Sequence, residues 1–178
     1  MIILGIHDGH NSGATIVKDG EVLASVLEER LTRKKNESGF PKKSIIACLK
    51  ISNIKKQNID KVVYASNFMH DSKYLKNPLA WYRVGIKEQL EDSKKPKLYE
   101  KFIFNQRKKE RMDKIENLIG ISKINISFLD HHLCHVAASY YCSEFSKNKK
   151  VLAISSDGSG DNLSGSVYVC KGNILKRI

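Results

Sequence analysis

Long apolar runs are missing from this chain of 178 residues. Nothing approaches the roughly eighteen consecutive apolar residues of a membrane-spanning helix. Cysteine is sparse, and Cys48, Cys134, Cys142 and Cys170 form no Cys-x-x-Cys pair. Zinc-knuckle and thioredoxin-like readings therefore find no support. Aromatic residues make up only 8%, and few interleave with the cations. That works against the stacking platform of a single-strand nucleic-acid binder. Acidic residues are outnumbered 31 to 19 by Lys and Arg, giving a net charge of +12. With nucleic acid disfavoured, a nucleotide or phosphorylated substrate suits this charge. Met1 leads into Ile2-Ile3-Leu4-Gly5-Ile6 with neither a basic leader nor a small-residue cleavage site. The expected location is cytoplasmic, with no membrane partner.

Histidine is also scarce, with six in all, and five of them fall in two places. His7 and His10 flank a glycine-rich turn; His131, His132 and His135 follow Asp130. On a helix, residues four apart share a face, so the His131 and His135 rings stand one turn apart. Asp130 sits where a helix cap belongs, and Val136-Ala137-Ala138 continues the helix. Two imidazoles so placed suit a divalent transition metal, iron or zinc. The plainer account is one core histidine with surface neighbours. Two ligands do not complete a centre; Asp157 is the first choice for a third and Asp8 the second. His132 faces another way, toward substrate or a carboxylate. Cys134 is either a soft ligand or, more plainly, a small buried residue. His10, in its turn, is the candidate general base, ahead of His7.

The chain opens as an antiparallel meander: Ile2–His7, Ala14–Lys18, a hairpin at Asp19-Gly20, then Glu21–Glu28 with Val22, Ala24 and Val26 on one face. Pro41 begins a helix that runs from Ser44 to about Ile54. Ile59–Ala65 reads as a buried strand parallel to the first. Pro78–Leu90 is a candidate helix, with Trp81 and Tyr82 packing or lining a cleft, and a break follows at Asp92–Pro96. Lys97–Ile119 carries Met112, Ile115, Leu118 and Ile119 as an apolar stripe. Ile124–Leu129 is the next strand, and the histidine helix follows it.

The last segment repeats the opening. Val151–Ser156 leads into Asp157-Gly158 as the first strand leads into Asp8-Gly9, and Ser164-Gly165 answers Ser12-Gly13. This pattern resembles the actin-like, ribonuclease-H-like ATPase superfamily, in which sugar kinases also fall. The expected class is α/β: a first lobe over 1–149 with a mixed five-stranded sheet, and the start of a similar second lobe over 150–178. Acidic, glycine-rich turns in such lobes present backbone N–H groups to phosphate. Gly9, Ser12, Gly13 and Gly158 are the candidate contacts. The chain is expected to be a piece of a longer protein, whose exposed sheet edges could pair in a homodimer.

The same residues carry a more specific resemblance. Gly9-His10, Ser12-Gly13-Ala14, Asp19-Gly20, Glu28-Glu29-Arg30-Leu31-Thr32-Arg33-Lys34-Lys35, Phe40-Pro41, Asp130-His131-His132-Leu133-Cys134-His135 and Ser156-Asp157-Gly158-Ser159-Gly160-Asp161 occur in this order. Together they resemble the amino-terminal region of the O-carbamoyltransferases of nodulation and antibiotic modification. The resemblance implies a partner domain, carboxy-terminal and outside this chain, that makes carbamoyl-adenylate from ATP, with Mg, and carbamoyl phosphate. It implies that the present region passes the carbamoyl group to a hydroxyl of a small-molecule acceptor. It carries the metal pair onto His131 and His135, with Asp157 as ligand or near-ligand. It makes His10 the base, and Arg33 and Lys34 adenylate or phosphate contacts. The chain alone is expected not to catalyse the overall reaction. The rivals are a tRNA-threonylcarbamoyl-transferase-like or sugar-kinase-like enzyme of the same fold, and a noncatalytic nucleotide- or RNA-binding module.

Overall fold

A computed structural model describes residues 1–67, 97–145, 148–161 and 163–178. The expected helix at Pro78–Leu90, with Trp81 and Tyr82, and the break before Lys97 lie outside the described residues.

A continuous apolar run at the start of the chain builds β1 (Ile2–His7), followed by β2 (Gly13–Lys18) and β3 (Glu21–Leu27). β1–β2 and β2–β3 are antiparallel. Asp19 and Gly20 both take positive φ, 49° and 91°, as a two-residue hairpin turn requires. β4 (Lys61–Tyr64) pairs parallel with β1, and β5 (Ile126–Phe128) pairs parallel with β4. The result is a mixed five-stranded sheet in the order β3-β2-β1-β4-β5, as the sequence pattern predicts.

Registry puts Leu4 beside Ile16 and Val62, and Ile6 beside Ala14 and Tyr64, so one face of the sheet is continuous and apolar. Helix α2 (Lys42–Ile51) contributes Ile45 and Cys48 to this core. After the short helix α1 (Glu28–Thr32), the long α3 (Lys97–Ile119) contributes Ile115 and Ile119.

Several local expectations change: the strand expected over Ile124–Leu129 shortens to Ile126–Phe128, because Lys123–Asn125 forms a 3₁₀ turn that leaves Ile124 exposed. A β-bulge interrupts the β2–β3 ladder at Ile16/Val17, so Val17 faces Val22 while Ile16 faces Ala24. The extra residue, Leu23, turns toward the core, and Val22 is left 54% exposed, off the face it was expected to share with Ala24 and Val26. The strand stops at Leu27, because Glu28 opens α1. Its buried carboxylate then serves another helix: Oε1 accepts from the Lys43 amide at 3.0 Å, and Oε2 accepts from the Ser44 amide and hydroxyl at 2.7 Å each. Those amides are orphan donors in the first turn of α2, which has no side-chain cap of its own. Finally, α2 ends at Ile51 rather than Ile54. The Ser52 hydroxyl bonds back to the Cys48 carbonyl at 2.8 Å, and Asn53 takes a positive φ.

The second sheet is a three-stranded antiparallel meander: β6 (Val151–Gly160), β7 (Leu163–Lys171) and β8 (Ile174–Arg177). It repeats the strand order of the first meander. Helix α4 (His131–Tyr141) lies on one of its faces, where Val136 and Tyr140 pack with Tyr168 and Cys170. The alternate residues Leu152 and Ile154 are exposed on the opposite face. Among the described residues, no helix is long and apolar enough to cross a membrane.

Candidate metal centre

Three strand ends meet at one edge of the first sheet. β1 ends at His7 and runs into Asp8, β4 runs into Ser66 and Asn67, and β5 runs through Asp130 into α4. In an open sheet with parallel strands, this carboxyl-end crevice is where ligands are received. α4 begins here as its sequence predicts: the Asp130 carboxylate caps it, accepting from the Leu133 amide at 2.9 Å.

Helical spacing brings the rings of His131 and His135 together edge to face, with centroids 4.6 Å apart. The Nε2 atoms face each other at 3.0 Å. β6 supplies the third group: Asp157 Oδ2 lies 2.7 Å from His131 Nε2 and 3.5 Å from His135 Nε2. Ligands about 2.0–2.1 Å from one tetrahedral ion stand about 3.3 Å apart. The observed spacing brackets that value, so two imidazole nitrogens and a carboxylate oxygen fit a first-row divalent metal. His131 is buried, whereas His135 and Asp157 are 54% and 37% exposed in their side chains. The centre is thus anchored on one side and open on the other. The hydrogen bond with His131 holds the Asp157 carboxyl below the usual carboxylate range, against a smaller opposing effect of burial.

Asp157 does not end its strand. It lies inside β6, at the irregularity between Ser156 and Gly160 where pairing with β7 lapses. Freed from the ladder, this stretch wraps the His131 ring. A Cβ built on Gly160 falls 1.9 Å from His131 Cδ2 and 2.4 Å from Cγ. Only a residue without a side chain lets β6 approach so closely. Gly160→Ala is therefore expected to push the ring away from Asp157. The cost is about 1–3 kcal/mol of stability together with weaker metal binding, read by urea denaturation and a Co²⁺ titration.

Two expected partners are otherwise engaged. Asp8, the second choice for a ligand, is held bidentately by Arg111: Nε to Oδ2 and Nη2 to Oδ1, both 2.8 Å. Among the described residues, His132 meets no carboxylate. It is fully buried, with Nε2 2.9 Å from the Leu163 carbonyl and Nδ1 2.9 Å from Ser155 Oγ. A carbonyl only accepts, so Nε2 carries the proton and Nδ1 accepts from the serine. Its work is to tie α4 to β6 and β7. Cys134 is half-buried and does not join the three groups that could share an ion; burial first, then the carboxylates of Asp130 and Asp161, pushes its thiol up to about 11.

His10 is exposed in the turn after β1, and its carbonyl accepts from His7 Nε2 at 2.9 Å. The His7 ring lies 6.2 Å from that of His131, and burial pulls its pKa below the usual imidazole value. Gly9 and Ser12 are buried in this turn; Gly13 opens β2 opposite His7 and Leu27. The Ser12 amide donates to the Glu37 carbonyl at 2.9 Å, so it is committed to the chain rather than open to phosphate. Among the described residues, Ser12 Oγ is buried without a hydrogen-bond partner. Arg33 and Lys34 are exposed at the end of α1, on the loop that reaches this turn through the Ser12–Glu37 and Gly39–Asp8 backbone bonds. Gly158 is exposed, its amide donating to Asp157 Oδ1 at 2.6 Å. Sequence reasoning missed Arg111, Gly160 and Asp161 as parts of this region. Asp161 at least stood in the motif Ser156–Asp161; Arg111 had no local signal.

A family model described as "Carbamoyltransferase N-terminus" matches residues 2–177. The chain is 31% identical over 179 residues to an uncharacterised protein of Methanocaldococcus jannaschii, covering 99% of this chain and 26% of that protein. It is 30% identical over 171 residues to an uncharacterised protein of Synechocystis, covering 93% and 26%. It is 28% identical over 167 residues to the nodulation protein NolNO of Sinorhizobium fredii, covering 94% and 22%. The chain thus spans about a quarter of the length of the curated relatives it matches. A match that runs from β1 to β8, and takes in both histidines and the aspartate of the centre, places the chain in the carbamoyltransferase N-terminal family.

Proposed function

We propose that this chain is the carbamoyl-transfer region of an O-carbamoyltransferase, working on carbamoyl-adenylate and a hydroxyl of a small-molecule acceptor. The observation that carries the reading is the convergence of His131, His135 and Asp157 at the carboxyl ends of the parallel strands. We take the architecture as actin-like, with 1–149 as the first lobe and 150–178 as the opening of the second. The adenylating domain, using ATP, Mg and carbamoyl phosphate, would belong to the remaining length seen in the relatives.

His131, His135 and Asp157 would hold an iron or zinc ion. Such an ion, when bound, polarises a carbonyl or binds a phosphate oxygen. In transfer, the acceptor oxygen attacks the carbamoyl carbon, the bond from that carbon to the adenylate phosphate oxygen breaks, and AMP leaves. His10 takes the hydroxyl proton, and the hydrogen bond from His7 to its carbonyl fixes the turn that presents it. Arg33 and Lys34 offset the charge that develops on departing AMP. Gly9, Gly13 and Gly158 line the turns that would receive the adenylate phosphate; Ser12, with its amide engaged and its hydroxyl buried, supports its turn from within.

The test is titration of the metal-loaded chain with a sulfamoyl analogue of carbamoyl-adenylate. The expected result is one analogue per chain, lost on chelation. A folded, metal-loaded chain that ignores the analogue would overturn the reading.

A further inference from the structure

The connection from β6 to β7 does more than deliver Asp157. Four residues on, Asp161 turns back with a positive φ of 48°. Its carboxylate reaches two separate elements. Oδ1 accepts from Ser66 Oγ at 2.9 Å, and Oδ2 accepts from the Asn67 amide at 2.9 Å, just past β4. The same Oδ2 accepts from the His131 amide at 2.8 Å, in the first turn of α4. Ser66 is itself fixed, because its carbonyl accepts from Arg111 Nη1 at 3.0 Å. One side chain from the second sheet therefore binds the end of a first-sheet strand and the backbone of a metal-site histidine at once.

We infer that Asp161 is a positioning residue for the metal centre: its carboxylate sets the distance between His131 and Asp157 by locking the β6–β7 connection to α4 and to the end of β4. This rests on the reading of His131, His135 and Asp157 as metal ligands. Two of those ligands sit on α4 and the third on β6, so the site closes only when the two elements are held in one register. Asp130 caps α4 and meets the second sheet at Tyr168 and Arg177, and His132 ties α4 to Ser155 on β6 and Leu163 on β7, but among the described residues neither bonds the stretch from Asp157 to Asp161. Asp161 is four residues from Asp157 on the same connection, and Gly160 between them lies against the His131 ring. Position is transmitted over a very short path.

The hydrogen bonds dictate which substitutions matter. An asparagine at 161 can turn its carbonyl toward the two backbone amides. Its NH2 then meets Ser66 Oγ, and a hydroxyl accepts as readily as it donates. Asp161→Asn should preserve the clamp. Asp161→Ala cannot, and leaves the His131 and Asn67 amides without their shared acceptor.

The experiment is Co²⁺ titration of the wild-type chain, Asp161→Ala, Asp161→Asn and Ile45→Val, well below each melting temperature, following the visible ligand-field bands. Ile45→Val trims the core far from the centre and controls for lost stability alone. Asp161→Ala is expected to weaken Co²⁺ by about 10-fold or more, the range commanded by groups that orient ligating histidines, and to alter the band shape. Asp161→Asn should stay within about threefold, because it keeps the same acceptor geometry, and Ile45→Val should match wild type. Wild-type affinity and spectrum in Asp161→Ala would overturn the positioning role while leaving the metal centre standing. Failure of the wild-type chain to bind Co²⁺ would overturn the metal reading itself, and this inference with it.

Discussion

A chain carrying His131→Ala and His135→Ala together is expected to lose stoichiometric Zn²⁺, Fe²⁺ and Co²⁺ binding, with affinity falling on the order of 1,000-fold or more. The double change removes both imidazole nitrogens and leaves one carboxylate oxygen, a donor set that hard, weakly held cations prefer. His135 is exposed and α4 keeps its Asp130 cap, so much of the fold should survive. Removing His131 takes out a buried ring and costs stability as well. Asp157→Asn should fall between wild type and the double variant, since both imidazoles remain. Metal content after dialysis and a competitive chelator titration measure the effect. Affinity in the wild-type chain should also drop as the solution is acidified, because a proton and a metal compete for the same nitrogen. Asp157 is no obstacle in the neutral range: its carboxyl, held low by His131, is already ionised. A double variant that binds zinc like wild type would place the metal elsewhere.

The second large effect is expected at Arg111, one helix away from the ligands. Its guanidinium is buried with the Asp8 carboxylate, the two side chains only 8% and 12% exposed. It also lies over the rings of Tyr64 and Phe128, at 4.4 and 4.9 Å from their centroids. The Tyr64 hydroxyl donates to the Arg111 carbonyl at 2.9 Å. α3, β1 and β4 are thus joined at the rim of the crevice. Arg111→Met keeps most of the volume but strands a buried carboxylate, at a cost of about 3–5 kcal/mol. Arg111→Lys should recover only part of that, because an ammonium cannot make the paired contact with both oxygens. The diagnostic comparison is Asp8→Asn with Arg111→Met. Removing both charges should cost less than removing the cation alone. Equal losses in urea denaturation would show that ring packing, rather than the ion pair, holds this corner together.

The elements were legible where the determining interactions are local. An apolar run, alternation and the Asp-Gly turn specified the opening meander, and the stripe from Met112 to Ile119 specified α3. Asp130 followed by His131 and His135 specified a capped helix with two rings on one face. Val22 shows the limit: alternation counts residues, and a bulge adds one without any mark in the sequence. Glu28 is similar. It reads as the end of a strand, yet its carboxylate caps a helix fifteen and sixteen residues on.

The metal centre divides in the same way. By itself, the sequence determined the pairing of His131 with His135, because 3.6 residues per turn places them together in any helix. It also narrowed the third ligand to two aspartates, each in a glycine-rich turn after a strand. Only the tertiary structure brings one of them to the histidine pair. Arg111, 103 residues away in sequence, claims Asp8, and the packing of β6 against α4 delivers Asp157. Packing also buried His132 between strands and set Asp161 across two elements. A charged or polar side chain takes whichever partner the fold brings within about 3 Å. Nothing in its own neighbourhood along the chain encodes that partner.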